Sequence, residues 1–208
     1  MHHVFYINLK HRVDRMHRAE TQFKAMSVTA ERVDAIECRN GAIGCALSHI
    51  KCIEIAKERR LPYACICEDD ILFLNPEQTK QSISLILNGT VQWDIILLGA
   101  NIAPPYLKLT NQCMTVRNAQ TTTGYIIKQA YYDTLLQNIR TGISGMLLYQ
   151  NPRIYAIDIY WKKLQKLDKW IIVIPLAVVQ RPDYSDIEHR EVNYTKHMLS
   201  DKSFLNLS

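Results

Sequence analysis

Leu61-Pro62-Tyr63-Ala64-Cys65-Ile66-Cys67-Glu68-Asp69-Asp70-Ile71-Leu72-Phe73-Leu74 is the stretch on which the reading of this chain turns. Small and apolar residues run into three consecutive carboxylates, and then the apolar run resumes. Residues 63–67 read as a short strand buried on both faces, as in the interior of a parallel sheet. Adjacent carboxylates repel one another, so a strand end that gathers three of them calls for a cation or a polar ligand. In open α/β sheets, ligands bind beyond the carboxyl ends of strands. A solvated acidic turn is the plainer alternative, and the apolar residues pinning both sides of Glu68-Asp69-Asp70 count against it. The triplet is therefore read as a hard-cation or nucleotide site.

The chain of 208 residues suits one domain, 1–208, with a polar C-terminal tail from about 181. With 48% hydrophobic and 22% charged residues, disorder is excluded. A net charge of +5 suits an anionic ligand but is too mild for a nucleic-acid binder. The densest basic patch, Lys162-Lys163 to Lys166 and Lys169, reads as a solvated helix face. The six cysteines fall mostly inside apparent helices and strands, and Cys65-x-Cys67 lacks a second ligand pair at zinc-knuckle spacing. They read as buried free thiols of a reducing, cytoplasmic compartment. Val4–Leu9 is too short for a signal peptide, and Trp170–Val179, broken by Pro175, is too short for a membrane span. No role is assigned to His2 or His3, and nothing here reads on oligomeric state.

Along the chain, Val4–Leu9 is a β-rich run, and Val13, Met16, Ala19, Phe23 and Met26 make one apolar helical stripe. The intervening cations Lys10, His11, Arg12 and Arg15 sit near a helix N-terminus, where they oppose the dipole unless they face an anion. Val33-Asp34-Ala35 reads as a second strand, and Gly41 opens a helix ending near Arg60. Asn75-Pro76 caps a helix that Asn88-Gly89 stops. Trp93–Gly99 and Thr121–Ile127 read as strands, with residues 101–120 irregular between them. A helix follows from Gln129 to about Ile139, then a loop from Gly142 to Pro152. Ile157–Trp161 opens a short helix with Asp158 near its N-terminus, and Trp170–Ile174 is the final strand. The overall class is α/β, with a mixed, mostly parallel sheet flanked by helices.

Taken together, these segments resemble glycosyltransferase family 25, which includes bacterial lipooligosaccharide and collagen galactosyltransferases. Ile7-Asn8-Leu9 with Arg12, Asp14 and Arg15 is similar to the family's opening signature. Gly41-Ala42-Ile43-Gly44-Cys45-Ala46-Leu47-Ser48-His49 is very close to its next motif, and Glu68-Asp69-Asp70 to its acidic one. Trp93–Gly99, Thr123–Ile127, Ile157-Asp158 and Ser185-Asp186-Ile187 follow in order. Gly124 and Ile53 depart from residues common in the family.

The resemblance implies a single-domain GT-A, Rossmann-like fold and an inverting transfer. A sugar, galactose first among UDP-sugars, would pass to a hydroxyl of a glycan or hydroxylated protein, with Mn²⁺ or Mg²⁺ assisting. It implies Asp70 as metal ligand with Asp69 helping, Glu68 near the ribose or the metal's water shell, and His189 as a late ligand. Asn8 and Leu9 would lie near the base, Arg12 or Arg15 near the diphosphate, and Ser48 and His49 would line the pocket. The catalytic base would be Asp158, then Asp186, then Asp94. Two other classes stay open at this point: a metal-dependent nucleotidyl- or phosphotransferase, and a non-catalytic glycosyltransferase-like binding module.

Overall fold

The computed structural model describes residues 2–199. Strand β1 (Val4–Asn8) is buried along its whole length. It is followed by helix α1 (Val13–Ala25), strand β2 (Ala30–Asp34), helix α2 (Gly41–Glu58) and strand β3 (Tyr63–Glu68). Strand β4 (Ile71–Phe73), helix α3 (Pro76–Asn88) and strand β5 (Ile95–Leu97) come next. Local chemistry sets the helix starts. The Asn40 side chain accepts from the Ala42 and Ile43 amides at the head of α2, and Asn75 does the same for Gln78 at the head of α3, with Pro76 in the first turn.

The second half has shorter elements. They are β6 (Asn101–Ile102), β7 (Cys113–Thr115), β8 (Ala119–Gln120), β9 (Gly124–Lys128) and a 3-10 turn (Gln129–Tyr131). Helices α4 (Tyr132–Tyr149), α5 (Pro152–Tyr155), α6 (Ile157–Tyr160) and α7 (Lys162–Gln165) lead to β10 (Trp170–Val173) and β11 (Val178–Gln180). The hairpin β12 (Asp183–Ser185) and β13 (Arg190–Val192) precedes α8 (Thr195–Leu199).

The central sheet has seven strands in the order β2-β1-β3-β9-β5-β10-β7. β1 pairs in parallel with both β2 and β3, and β5 with β10, while β9 and β7 run against their neighbours. Five of the seven strands therefore share one direction, as expected for a mixed, mostly parallel α/β layer. Alternate residues feed two cores. Phe5, Ile7 and Ile66 face α2 and α4, whereas Val4, Tyr6 and Cys67 face α1 and α3. Because β1 lies between β2 and β3, the chain leaves it in one direction and returns past it in the other. That reversal opens a crevice beyond the carboxyl ends of β1 and β3, where Asn8 and Glu68 stand.

Several local readings are corrected. Val13 is 48% exposed and leaves the α1 stripe to the residues below it. Residues 101–120 are not wholly irregular, since β7 forms an edge of the central sheet against β10. Trp170–Val173 is not the last strand, because β11 pairs with β4 and the hairpin follows. Of the stretch read as a polar tail, residues 200–208 lie outside the described residues.

The loop expected from Gly142 to Pro152 is mostly helix: α4 continues to Tyr149 and ends at Gln150 with a positive φ of 49°. Its glycines serve close packing. A Cβ at Gly142 would stand 3.1 Å from the Tyr155 carbonyl, and one at Gly145 would overlap the Tyr155 ring. That ring is held between Tyr149 and Tyr160, with centroids at 5.5 and 5.9 Å. Gly145→Val is accordingly expected to lower stability by about 1–3 kcal/mol through overpacking, read as a smaller urea midpoint at unchanged slope.

Candidate active site

β3 delivers the acidic triplet, and the pleat separates its members. Glu68 turns to the α2 side, where its Oε1 accepts from the Thr122 hydroxyl at 2.7 Å. His49 Nε2 stands 3.5 Å and Cys45 Sγ 3.7 Å from the same oxygen. Burial pushes the Glu68 carboxyl up, but the His49 and Thr122 hydrogen bonds and the Arg15 charge outweigh it and leave the group below the ordinary range. His49 is fully buried, with Nδ1 3.1 Å from the Tyr125 hydroxyl.

Asp69 and Asp70 occupy the turn into β4. Asp69 Oδ2 accepts from Asn8 Nδ2 at 2.7 Å, and its Oδ1 pairs with Arg15 Nη1 at 3.0 Å. Asp70 Oδ2 accepts from Arg15 Nη2 and from Gln180 Nε2, both at 2.7 Å. Burial raises the Asp69 carboxyl to about 6. Burial and the charge of Glu68 raise Asp70 to about 7. Asp70 Oδ1 is buried and has no hydrogen-bond partner among the described residues. A buried acceptor of this kind, among hard carboxylate oxygens, fits a divalent cation.

The C-terminal hairpin closes over this corner. Arg12 Nη1 donates to Asp186 Oδ2 at 2.5 Å, and Arg18 Nη1 donates to Asp183 Oδ2 at 2.8 Å. Ile187 packs on the head of α2, where a Cβ at Gly41 would come within 3.1 Å of it. Between hairpin, α2 and the ends of β1 and β3 lies a cavity of about 290 Å³ that Leu9, Arg15, Ala35, Glu68, Asp69 and Asp70 help to line. A second cavity of about 250 Å³ opens on the other side of Glu68. Thr122, Asp158, Glu188 and Tyr194 face it, while Cys45, Glu68 and Gln180 border both. Asp158 Oδ2 accepts from the Thr121 amide at 3.2 Å, and burial raises its pKa.

The expected residues thus divide. Leu9, Arg15, His49, Glu68, Asp69 and Asp70 meet at the first cavity, and Asp158 stands in the second. Asn8 is wholly buried and bonds to Asp69, Arg12 and Arg32, so it holds the triplet rather than facing a base. Ser48 lines the wall, but its hydroxyl is committed to the Ile36 amide at 2.8 Å and the Gly44 carbonyl at 2.7 Å. Arg12 is turned away from the cavity by Asp14 and Asp186, and Asp186, which lines the first cavity, is ion-paired with Arg12. His189 does not join Asp70: it lies exposed beside the hairpin turn and borders neither cavity. Asp94 caps Lys169 at a site away from both. Sequence reasoning missed Gln180, Cys45 and Thr122. Gln180 closes the apolar run Val178-Val179, which was the only signal available for it.

An acidic strand end at a switch point, with a buried unpaired carboxylate oxygen and two adjoining cavities, is the kind of place where an open α/β sheet holds its ligand. The sequence pattern of "Glycosyltransferase family 25 (LPS biosynthesis protein)" matches residues 37–158, which include α2, the acidic triplet and Asp158. The chain belongs to glycosyltransferase family 25 and is a glycosyltransferase. No curated protein sequence matches it. Among solved structures, mannose-1-phosphate geranyltransferase from Thermus thermophilus is 9% identical, with TM-score 0.50 over 86% of this chain and 74% of that one. That likeness shows a shared fold and nothing of the reaction. A glycosyltransferase involved in glycosylating the major capsid of PBCV-1 is 8% identical, with TM-score 0.43 over 83% of this chain and 91% of that one. No described helix is long and apolar enough to cross a membrane.

Proposed function

We propose that the chain moves a sugar, galactose first among candidates, from a UDP-sugar to a hydroxyl of a glycan or hydroxylated protein, with inversion at the anomeric carbon. The observation that carries this reading is the buried, unpartnered Asp70 Oδ1 at the edge of the first cavity, beside Arg15 and Asp69. Asp70 and Asp69 would hold Mn²⁺ or Mg²⁺, which prefer such oxygens. When bound, the metal supplies charge stabilisation for a departing nucleoside diphosphate.

The remaining work falls to the chain's own groups. Arg15 pairs with Asp69 and Asp70 and lines the same cavity, so its guanidinium lies within reach of a diphosphate there. Leu9, Ala35 and Ile36 form the apolar part of the wall that a nucleoside would meet. Glu68, fixed by Thr122, separates the donor side from the second cavity. In that cavity Asp158 would take the proton of the acceptor hydroxyl, and its burial-raised pKa suits a base better than an ion-paired Asp186 would.

A thermal-shift panel of nucleotide sugars with and without Mn²⁺ tests the reading. At about 100 times Kd a ligand specific to the folded state adds about 2.7 kcal/mol of stability. A metal-dependent rise is expected for UDP-sugars and not for nucleoside triphosphates. A flat response to every UDP-sugar would overturn the proposal.

A further inference from the structure

We infer that Cys45, His49 and Glu68 form a second metal site, for a borderline-soft divalent ion of the zinc type, on the wall between the two cavities. It is chemically unlike the oxygen-only pair Asp69–Asp70. Its ligand set is one thiol, one imidazole and one carboxylate, whose ligand atoms all lie within 4.8 Å of one another.

The spacing fits. Ligands held at about 2.0–2.3 Å around a tetrahedral zinc stand roughly 3.3–3.7 Å apart. Here Cys45 Sγ lies 3.7 Å and His49 Nε2 3.5 Å from Glu68 Oε1. Cys45 and His49 are four residues apart on α2, which puts both on one helix face opposite the end of β3. The other His49 nitrogen, Nδ1, is 3.1 Å from the Tyr125 hydroxyl, with the two rings stacked at 5.6 Å. An outer partner of that kind fixes the tautomer and ring orientation of metal-binding histidines. A thiolate and a carboxylate together neutralise a divalent ion, which suits a site whose histidine is fully buried. Three protein ligands leave a fourth position, and Cys45 and Glu68 both border the cavities, so that position is within reach of water or a substrate oxygen.

The test requires no assumption about the sugar reaction. The full chain, stripped by chelator under reducing conditions, is titrated with Co²⁺ and followed by absorption. One equivalent is expected to bind with a thiolate-to-cobalt charge-transfer band, displaced by Zn²⁺ and untouched by excess Mg²⁺. Cys45→Ser is expected to abolish the band. Tyr125→Phe should keep it while weakening binding by about 10–100-fold. Cys65→Ala and Cys113→Ser, which alter thiols packed in the other core, should leave band and affinity unchanged. Absence of the band in the unaltered chain, or a band that survives Cys45→Ser and vanishes with Cys65→Ala, would overturn the inference. The three residues would then be a hydrogen-bonded cluster that fixes Glu68 and holds no metal.

Discussion

Asp70→Asn is expected to remove metal-dependent UDP-sugar turnover almost entirely, by about 1,000-fold or more if the metal contributes several kcal/mol at about 1.36 kcal/mol per tenfold. The amide keeps the shape of the carboxyl and can still accept from Arg15, so the fold should persist. It loses the negative charge that a hard cation needs. Calorimetry with Mn²⁺ separates the two consequences: metal binding should weaken sharply, while the melting temperature of the metal-free protein stays near that of the parent. Turnover that remains metal-dependent in this variant would remove Asp70 from the site. The same substitution leaves the Cys45–His49–Glu68 cluster intact, so Co²⁺ binding there should be unaffected.

Asp158→Asn is the second large effect. A positioned base contributes about 100- to 10,000-fold, so transfer to the acceptor should fall by that amount while donor binding, measured by calorimetry, is retained. The sign of the pH dependence follows from burial. The base acts as the carboxylate, and burial raises the pKa of Asp158. Activity should therefore fall as pH drops through that raised value, on an acid limb of kcat/KM lying above the ordinary aspartate value of about 3.9. Measured at saturating metal, which keeps Asp69 and Asp70 ionised, the limb should remain with reduced amplitude in Asp158→Glu and disappear from the residual rate of the asparagine variant. If donor binding is lost with Asp158, the residue belongs to the donor pocket instead.

The parts of the fold that were legible in sequence share a physical cause. β3 could be read because a doubly buried strand must be apolar throughout, and α1 because a half-buried helix repeats its apolar residues every three or four positions. The start of α3 followed from Asn75, a side chain that satisfies a free amide locally, whereas the matching role of Asn40 at α2 showed only in the fold. The hidden parts also have causes. β7, with three residues, is too short to display a period, and its pairing with β10 is set by partners more than 50 residues away. Gly142 and Gly145 look like loop residues until Tyr155 packs onto them. The hairpin carries few apolar residues because its attachment is ionic, to Arg12, Arg15 and Arg18 at the other end of the chain.

The acidic stretch shows the same division. By itself the sequence determined that residues 63–67 are a buried strand running into three carboxylates at its carboxyl end, since hydrophobicity and like-charge repulsion are properties of neighbouring residues. Only the tertiary structure made the three carboxylates unequal. The pleat sent Glu68 toward His49, Cys45 and Thr122, while the turn gave Asp69 to Asn8 and Arg15. Asp70 alone kept a buried oxygen without a partner, because the groups that satisfy or spare each oxygen come from strands and helices that only folding brings to that corner.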